Sequence, residues 1–197
     1  MGPSSEIGTV ANAANAQLAL RLHEATGDGR YLDVARGMYS WVNDNMRDPA
    51  SGLFWDHVTP PDCRIDETQW SYNQGLMIGA NVLLHRATAD ERYRHEAQSL
   101  AAVALAAYDV TRLSEEPVEF AVILLRNLLL STTVANHASL GAQVRQRADE
   151  YVRAVWPRFT GTADAAPTIR IRLIEQAAIV ESVALLCWPE ARYDLLV

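Results

Sequence analysis

Apolar residues along this chain recur at helical rather than alternating spacing. Leu76, Ala80, Leu83, Leu84 and Ala87 follow i, i+4, i+7, i+8, i+11, the stripe that one face of an α-helix turns to a core. A second stripe, Tyr31, Ala35, Met38, Tyr39 and Val42, is reproduced by Tyr93, Ala97, Leu100, Ala101 and Ala104. The copying extends past the stripes. LRLHEATGDGRYLDVA (residues 20–35) and VLLHRATADERYRHEA (residues 82–97) align at a constant shift of 62 residues. His23 falls on His85, Thr26 on Thr88, Asp28 on Asp90 and Tyr31 on Tyr93. The repeated unit is a helix, a tight turn and a second helix, with Asp28 and Asp90 placed to cap the second helix.

The pattern predicts a third, diverged hairpin from about Glu119 to Val155, turning near residues 136–139, and a seventh helix over about 173–187. No segment alternates with period two. The expectation is therefore an all-α fold of about seven helices, one helical domain over residues 1–197, with essentially no sheet. The first helix of each pair is poor in charge and the second carries Arg, Asp and Glu, which predicts inner helices covered on both sides and outer helices facing water. Connections from inner to outer helices are short. The return connections, about residues 47–71, 109–116 and 157–170, are long, and in a ring of parallel hairpins they all emerge on one face, where function concentrates.

Charge and composition narrow the partners. A net charge of −7 over 197 residues argues against nucleic acid. All 17 basic residues are Arg, which reads as the codon habit of a GC-rich genome. Cys63 and Cys187 form no metal-ligand or disulfide pattern, and neither a leader nor an apolar run of membrane-spanning length is visible. These features predict a cytoplasmic chain with no membrane partner. No phosphate-binding glycine loop or nucleophile elbow occurs, and His23 and His85 sit at the tight turns without metal-site spacing, so no cofactor or metal is expected.

The stretches NAANAQLALRLHEATGDGRYLDVARGMYSWV, GLFWDH, WSYNQGLMIGANVLLHRATAD and EFAVILLRNL together resemble glycoside hydrolase family 76, the α-1,6-mannanases of bacteria and fungi. The resemblance runs from about residue 12 to 97 and fades after about residue 134. It implies an (α/α)6 toroid, of which these helices are the C-terminal part, hence a partial toroid, and a mannan-type carbohydrate ligand. The family cleaves with a consecutive Asp-Asp pair in the portion preceding the matched region, and this chain contains no Asp-Asp dipeptide. Glycoside hydrolysis commonly needs two carboxyl groups at a fixed separation. The expectation is a truncated bacterial glycosidase, inactive alone, that docks to a missing N-terminal half or forms a homo-oligomer.

Candidate ligand-binding residues follow from the resemblance, each with a structural alternative. Tyr72, Asn73 and Gln74 match the family's Tyr-Asn-Gln near the sugar cleft; otherwise Asn73 caps a helix and Tyr72 packs on the loop. Trp70, with Trp55, either stacks on a pyranose or anchors the long loop. Asp56 in GLFWDH holds a sugar hydroxyl or stabilises a turn. Asn15, with Asn12, marks a polar inner rim or caps a frayed helix start. Arg126 matches a family arginine and has Glu175 or Glu181 as possible ion-pair partners. Ser114, Glu115, Glu116 and Pro117 read as the capped, acidic start of the next helix, with Glu115 and Glu116, the nearest thing to a carboxylate pair, the alternative source of a substitute acid. His57 is the one histidine suited to an epimerase-like cleft, a weaker reading.

Overall fold

The structure, a computed structural model, describes residues 6–135, 138–160 and 173–196. Two successive hairpins, α1 (Thr9–Thr26) with α2 (Gly29–Asn45) and α3 (Ser71–Thr88) with α4 (Glu91–Ala107), are the repeated units. A short α5 (Val110–Glu115) leads to the third pair, α6 (Val118–Ser131) and α7 (Ala138–Thr160), and α8 (Leu173–Cys187) is the seventh helix of the sequence reading. Residues 136–137 of the expected turn and residues 161–172 of the last long connection lie outside the described residues.

The tight turns are copies in atomic detail. Asp28 accepts from the Arg30 amide and Asp90 from the Arg92 amide, each at 2.9 Å. The Nδ1 atoms of His23 and His85 lie 3.0 and 3.1 Å from the Asp28 and Asp90 carbonyls. The copies differ at Gly29, which is Glu91 in the second, and at the left-handed residue closing the first helix, Gly27 (φ 71°) in one and Ala89 (φ 55°) in the other. That conformation suits glycine and strains alanine.

Inner and outer helices differ as their composition predicts. α3 is buried at every position from Ser71 to Leu84, whereas α2 buries only Ala35, Tyr39 and Val42. α1, α3, α6 and α8 pack in that order as a row of inner helices. Gly75 and Gly79 allow the neighbours to close on α3. A Cβ on Gly75 would lie 2.7 Å from the Leu124 Cα, and one on Gly79 would lie 1.9 Å from the Asn127 Oδ1. In that space Gln17 donates to the Leu76 carbonyl (2.6 Å) and to Asn127 Oδ1 (3.1 Å), tying α1, α3 and α6 through a buried polar bridge. On the tight-turn side Glu24 pairs with Arg86, its equivalent 62 positions on.

Among the described residues the row is open at both ends. α1 exposes Val10, Leu18 and Leu22, and α8 exposes Leu173, Ile174 and Val180.

Three expectations need correction. A small antiparallel sheet exists, with strands β1 (Ile7–Gly8), β2 (His57–Thr59) and β3 (Arg64–Asp66) in the order β1-β2-β3. Strands of two and three residues are too short to write a period-two signal. α7 continues through Pro157 to Thr160 rather than ending at the proline. Ser114 and Glu115 belong to the end of α5 instead of starting α6, whose N-cap is Pro117.

Candidate functional site

The 25-residue connection between α2 and α3 is a built structure. Phe54 is its buried anchor, and Gln74 grips that residue from both sides. The Gln74 Oε1 accepts from the Phe54 amide (2.8 Å) and its Nε2 donates to the Phe54 carbonyl (2.9 Å). Arg47 bridges to Glu96 of α4 at 2.6 Å and lies over the Phe54 ring. Further along, Thr9 at the start of α1 donates its amide to the Asp56 carbonyl (2.8 Å) and its hydroxyl to the Trp55 carbonyl (2.6 Å). These bonds carry Asp56 to the N-terminal end of α3.

There Asp56 becomes a shared acceptor. Its Oδ1 receives the Tyr72 hydroxyl (2.7 Å) and the Asn73 amide (3.0 Å), and its Oδ2 lies 3.0 Å from His57 Nδ1. Three donors from two elements fix the carboxylate's orientation. The hydrogen bond to Asp56 is the main reason His57 holds its proton to higher pH than an ordinary histidine, with Glu6 adding to it. Burial, then the bond to Asp56, push the Tyr72 hydroxyl well above the usual tyrosine range, so it acts as a donor and not as a base.

The second long connection meets the first at the same end of α3. Tyr108 and Arg112 both donate to the Gln69 carbonyl, at 2.8 and 3.2 Å. Glu116, buried, accepts from the Ser71 amide at 3.1 Å, so it caps α3 from another loop. Burial dominates its environment and raises its pKa above the usual carboxylate value. Phe120 completes the wall, edge-on to Trp70 (5.5 Å) and Tyr72 (4.3 Å).

The predicted residues therefore divide. Asp56, Tyr72 and Asn73 come together at one point on the rim. Gln74 is fully buried and engaged with the backbone of Phe54 and Trp70, so it positions the loop. Trp70 is half-buried against Phe120, and Trp55 is half-buried against the core. Asn15 lies exposed farther along α1 with its amide turned back to the Ala11 carbonyl, as Asn12 does to Gly8, and takes no part in the cluster. Arg126 pairs with Glu181 at 3.1 Å and joins α6 to α8. Sequence reasoning missed Thr9 and Phe120 and misassigned Glu116. No local pattern links any of them to α3, because each acts across a long sequence separation. Among the described residues no group of His, Cys, Asp or Glu is arranged to hold a metal.

The rim sets a carboxylate of fixed orientation, a tyrosine hydroxyl, an amide and a histidine side by side, groups of the kind that pair with hydroxyls. The chain matches glycosyl hydrolase family 76 over residues 7–168. It is 34% identical over 92 residues to the mannan endo-1,6-alpha-mannosidase DCW1 of Candida glabrata, a match spanning 45% of this chain and 20% of that protein. The Saccharomyces cerevisiae mannan endo-1,6-alpha-mannosidase DFG5 is 31% identical over 84 residues, 41% of this chain and 18% of that one. Among solved structures it shares its fold with the α-1,6-mannanase GH76A of Salegentibacter sp. HEL1_6. That inactive variant, with two adjacent aspartates replaced and α-1,6-mannotetrose bound, superposes with a TM-score of 0.76 at 24% identity. The superposition covers 92% of this chain and 60% of that chain, so the row of hairpins is a partial (α/α)6 toroid. With the match covering well over half of its length, this chain belongs to glycosyl hydrolase family 76.

Proposed function

We propose that this chain is the sugar-binding part of an α-1,6-mannanase-like glycosidase and that it does not hydrolyse mannan by itself. The observation that carries the reading is Asp56, held by Tyr72, Asn73 and His57 on the long-loop rim of a family-76 fold. A carboxylate whose orientation is fixed by three donors is suited to accept a sugar hydroxyl on a remaining lone pair. Glu116, a buried carboxyl at this end, is committed to the Ser71 amide. Two carboxyls facing one another across a scissile bond are the requirement for hydrolysis. The chain has no Asp-Asp dipeptide, and we assign the acid pair to polypeptide outside these 197 residues. The purified chain is expected to bind α-1,6-mannotetraose and to release no reducing sugar from α-1,6-mannan. Steady turnover that survives repurification would overturn the reading.

A second reading is a non-catalytic helical module that self-associates or docks to a complementing helical segment. It is favoured by the apolar side chains exposed on α1 and α8 at the two open ends of the row. Light scattering at micromolar concentration should then report more than one chain per particle, or a hydrophobic dye should bind. A dye-silent monomer would refute it.

A further inference from the structure

The β2–β3 hairpin stands beside the Asp56 cluster and has two unlike faces. Its register pairs His57 with Asp66, Val58 with Ile65 and Thr59 with Arg64. Cross-strand partners and residues two apart share a face. His57, Thr59, Arg64 and Asp66 therefore form one polar face, while Val58 and Ile65 pack against the core. A cleft of about 380 Å³ opens here, lined by His57, Thr59, Arg64, Ile65, Asp66 and Glu67.

The groups around this cleft differ in how far they are committed. Asp66 is held by the Thr68 amide (2.9 Å) and hydroxyl (2.6 Å), which fixes that end of the hairpin. The side chains of Thr59, Arg64 and Glu67 make no hydrogen bond among the described residues. A hydroxyl, a carboxylate and a guanidinium whose charge bears on Asp66 thus stand without a hydrogen-bond partner among the described residues, around a space within the range of small-ligand pockets. His57 links the space to the rim, since its Nδ1 faces Asp56 while its ring lines the cleft.

We propose that this cleft is a further sugar-binding subsite, taking a neutral hexose unit of an oligosaccharide whose next unit lies against Asp56 and Tyr72. The proposal rests on the reading of the rim as a carbohydrate site. Alternating donors and acceptors match hydroxyls, each of which both donates and accepts. The charge balance selects against acidic sugars. Asp66 and Glu67 line the cleft and Asp56 and Glu6 flank His57, against Arg64 and the histidine alone. Arg64 and Glu67 are then specificity-determining residues that do no chemistry.

The test is titration of the full, ¹⁵N-labelled chain with α-1,6-mannobiose and α-1,6-mannotetraose, followed by amide shifts. The tetrasaccharide should move the amides of Thr59, Arg64 and Glu67 together with those of Thr9 and Asp56. Combining Arg64→Ala with Glu67→Gln should weaken the tetrasaccharide about tenfold and leave the disaccharide response at Asp56 within about twofold. That retained response is also the check on folding. Tyr72→Phe should weaken both sugars. If the double variant binds tetrasaccharide like wild type while Tyr72→Phe is impaired, the subsite is wrong and the rim reading stands. If wild type shows no shift at about 10 mM of either sugar, both fail. A uronic-acid tetramer bound as tightly as the neutral one would overturn the selectivity.

Discussion

At its C-terminal end α3 is closed by bonds within a few residues: the Ala89 amide to the His85 carbonyl, the Asp90 amide to Thr88, the Arg92 amide to Asp90. At its N-terminal end the partners are distant. Tyr72 reaches Asp56, 16 residues away, Gln74 reaches Phe54 across 20, and Ser71 is capped by Glu116 across 45. The local end is self-sufficient and is duplicated nearly unchanged. The distant end exists only when two long connections have docked, and it is there that Asp56, Tyr72 and Asn73 converge. A rim assembled from afar changes its ligand groups without disturbing the hairpins below it.

The largest effect expected from this contrast is at Gly75. Its replacement by Ala sets a Cβ 2.7 Å from the Leu124 Cα, and backbone cannot yield as a side-chain tip does. Urea denaturation should show a loss of about 3 kcal/mol. Gly27→Ala, at the local end with open space around it, should cost only about 1 kcal/mol, from its positive φ. Similar losses at both sites would erase the distinction.

Next in size is the pair Gln74→Ala and Asp90→Ala. The first leaves the buried Phe54 amide and carbonyl without partners and should cost about 2 kcal/mol, whereas the second removes one exposed cap and should cost less. Hydrogen exchange would sharpen the result: Gln74→Ala should deprotect Phe54 and Asp56, in the long connection, before α3 itself. Smaller still, Ala89→Gly should stabilise the chain by about 0.5–1 kcal/mol, because its twin turn already carries Gly27 at the left-handed position.

The two ends should also titrate with opposite sign. Burial raises the Glu116 pKa, so between the ordinary glutamate value and that raised value the folded state holds the extra proton. Its contribution to stability therefore falls as pH rises through the window, and Glu116→Gln should flatten that slope. Asp28 and Asp90 are lowered, chiefly by their side-chain bonds to Arg30 and Arg92. What they contribute is present above the ordinary aspartate value and is lost as pH falls through the lowered one. Denaturation midpoints measured across the acidic range, with each variant, separate the two slopes.

The same contrast explains what the amino-acid order revealed. Local hydrogen bonds at Asp28, Asp90, His23 and His85 left a repeat with fixed spacing, and the apolar stripes placed seven helices. Asp56, Tyr72 and Asn73 were legible as a group because the family resemblance covers their segments. Glu116 was not, since a cap normally precedes its own helix and this one serves a helix that begins 45 residues earlier. Asn15 and Gln74 show the reverse limit: an amide side chain in an apolar helix signals a polar partner without saying whether that partner is ligand or backbone.

The Glu24–Arg86 pair follows from duplication itself. Two stacked copies of one unit bring equivalent positions side by side, so an unaltered glutamate would have met another glutamate. With glutamate in one copy and arginine in the other, the two units are complementary at this contact instead of interchangeable, and their stacking has a direction.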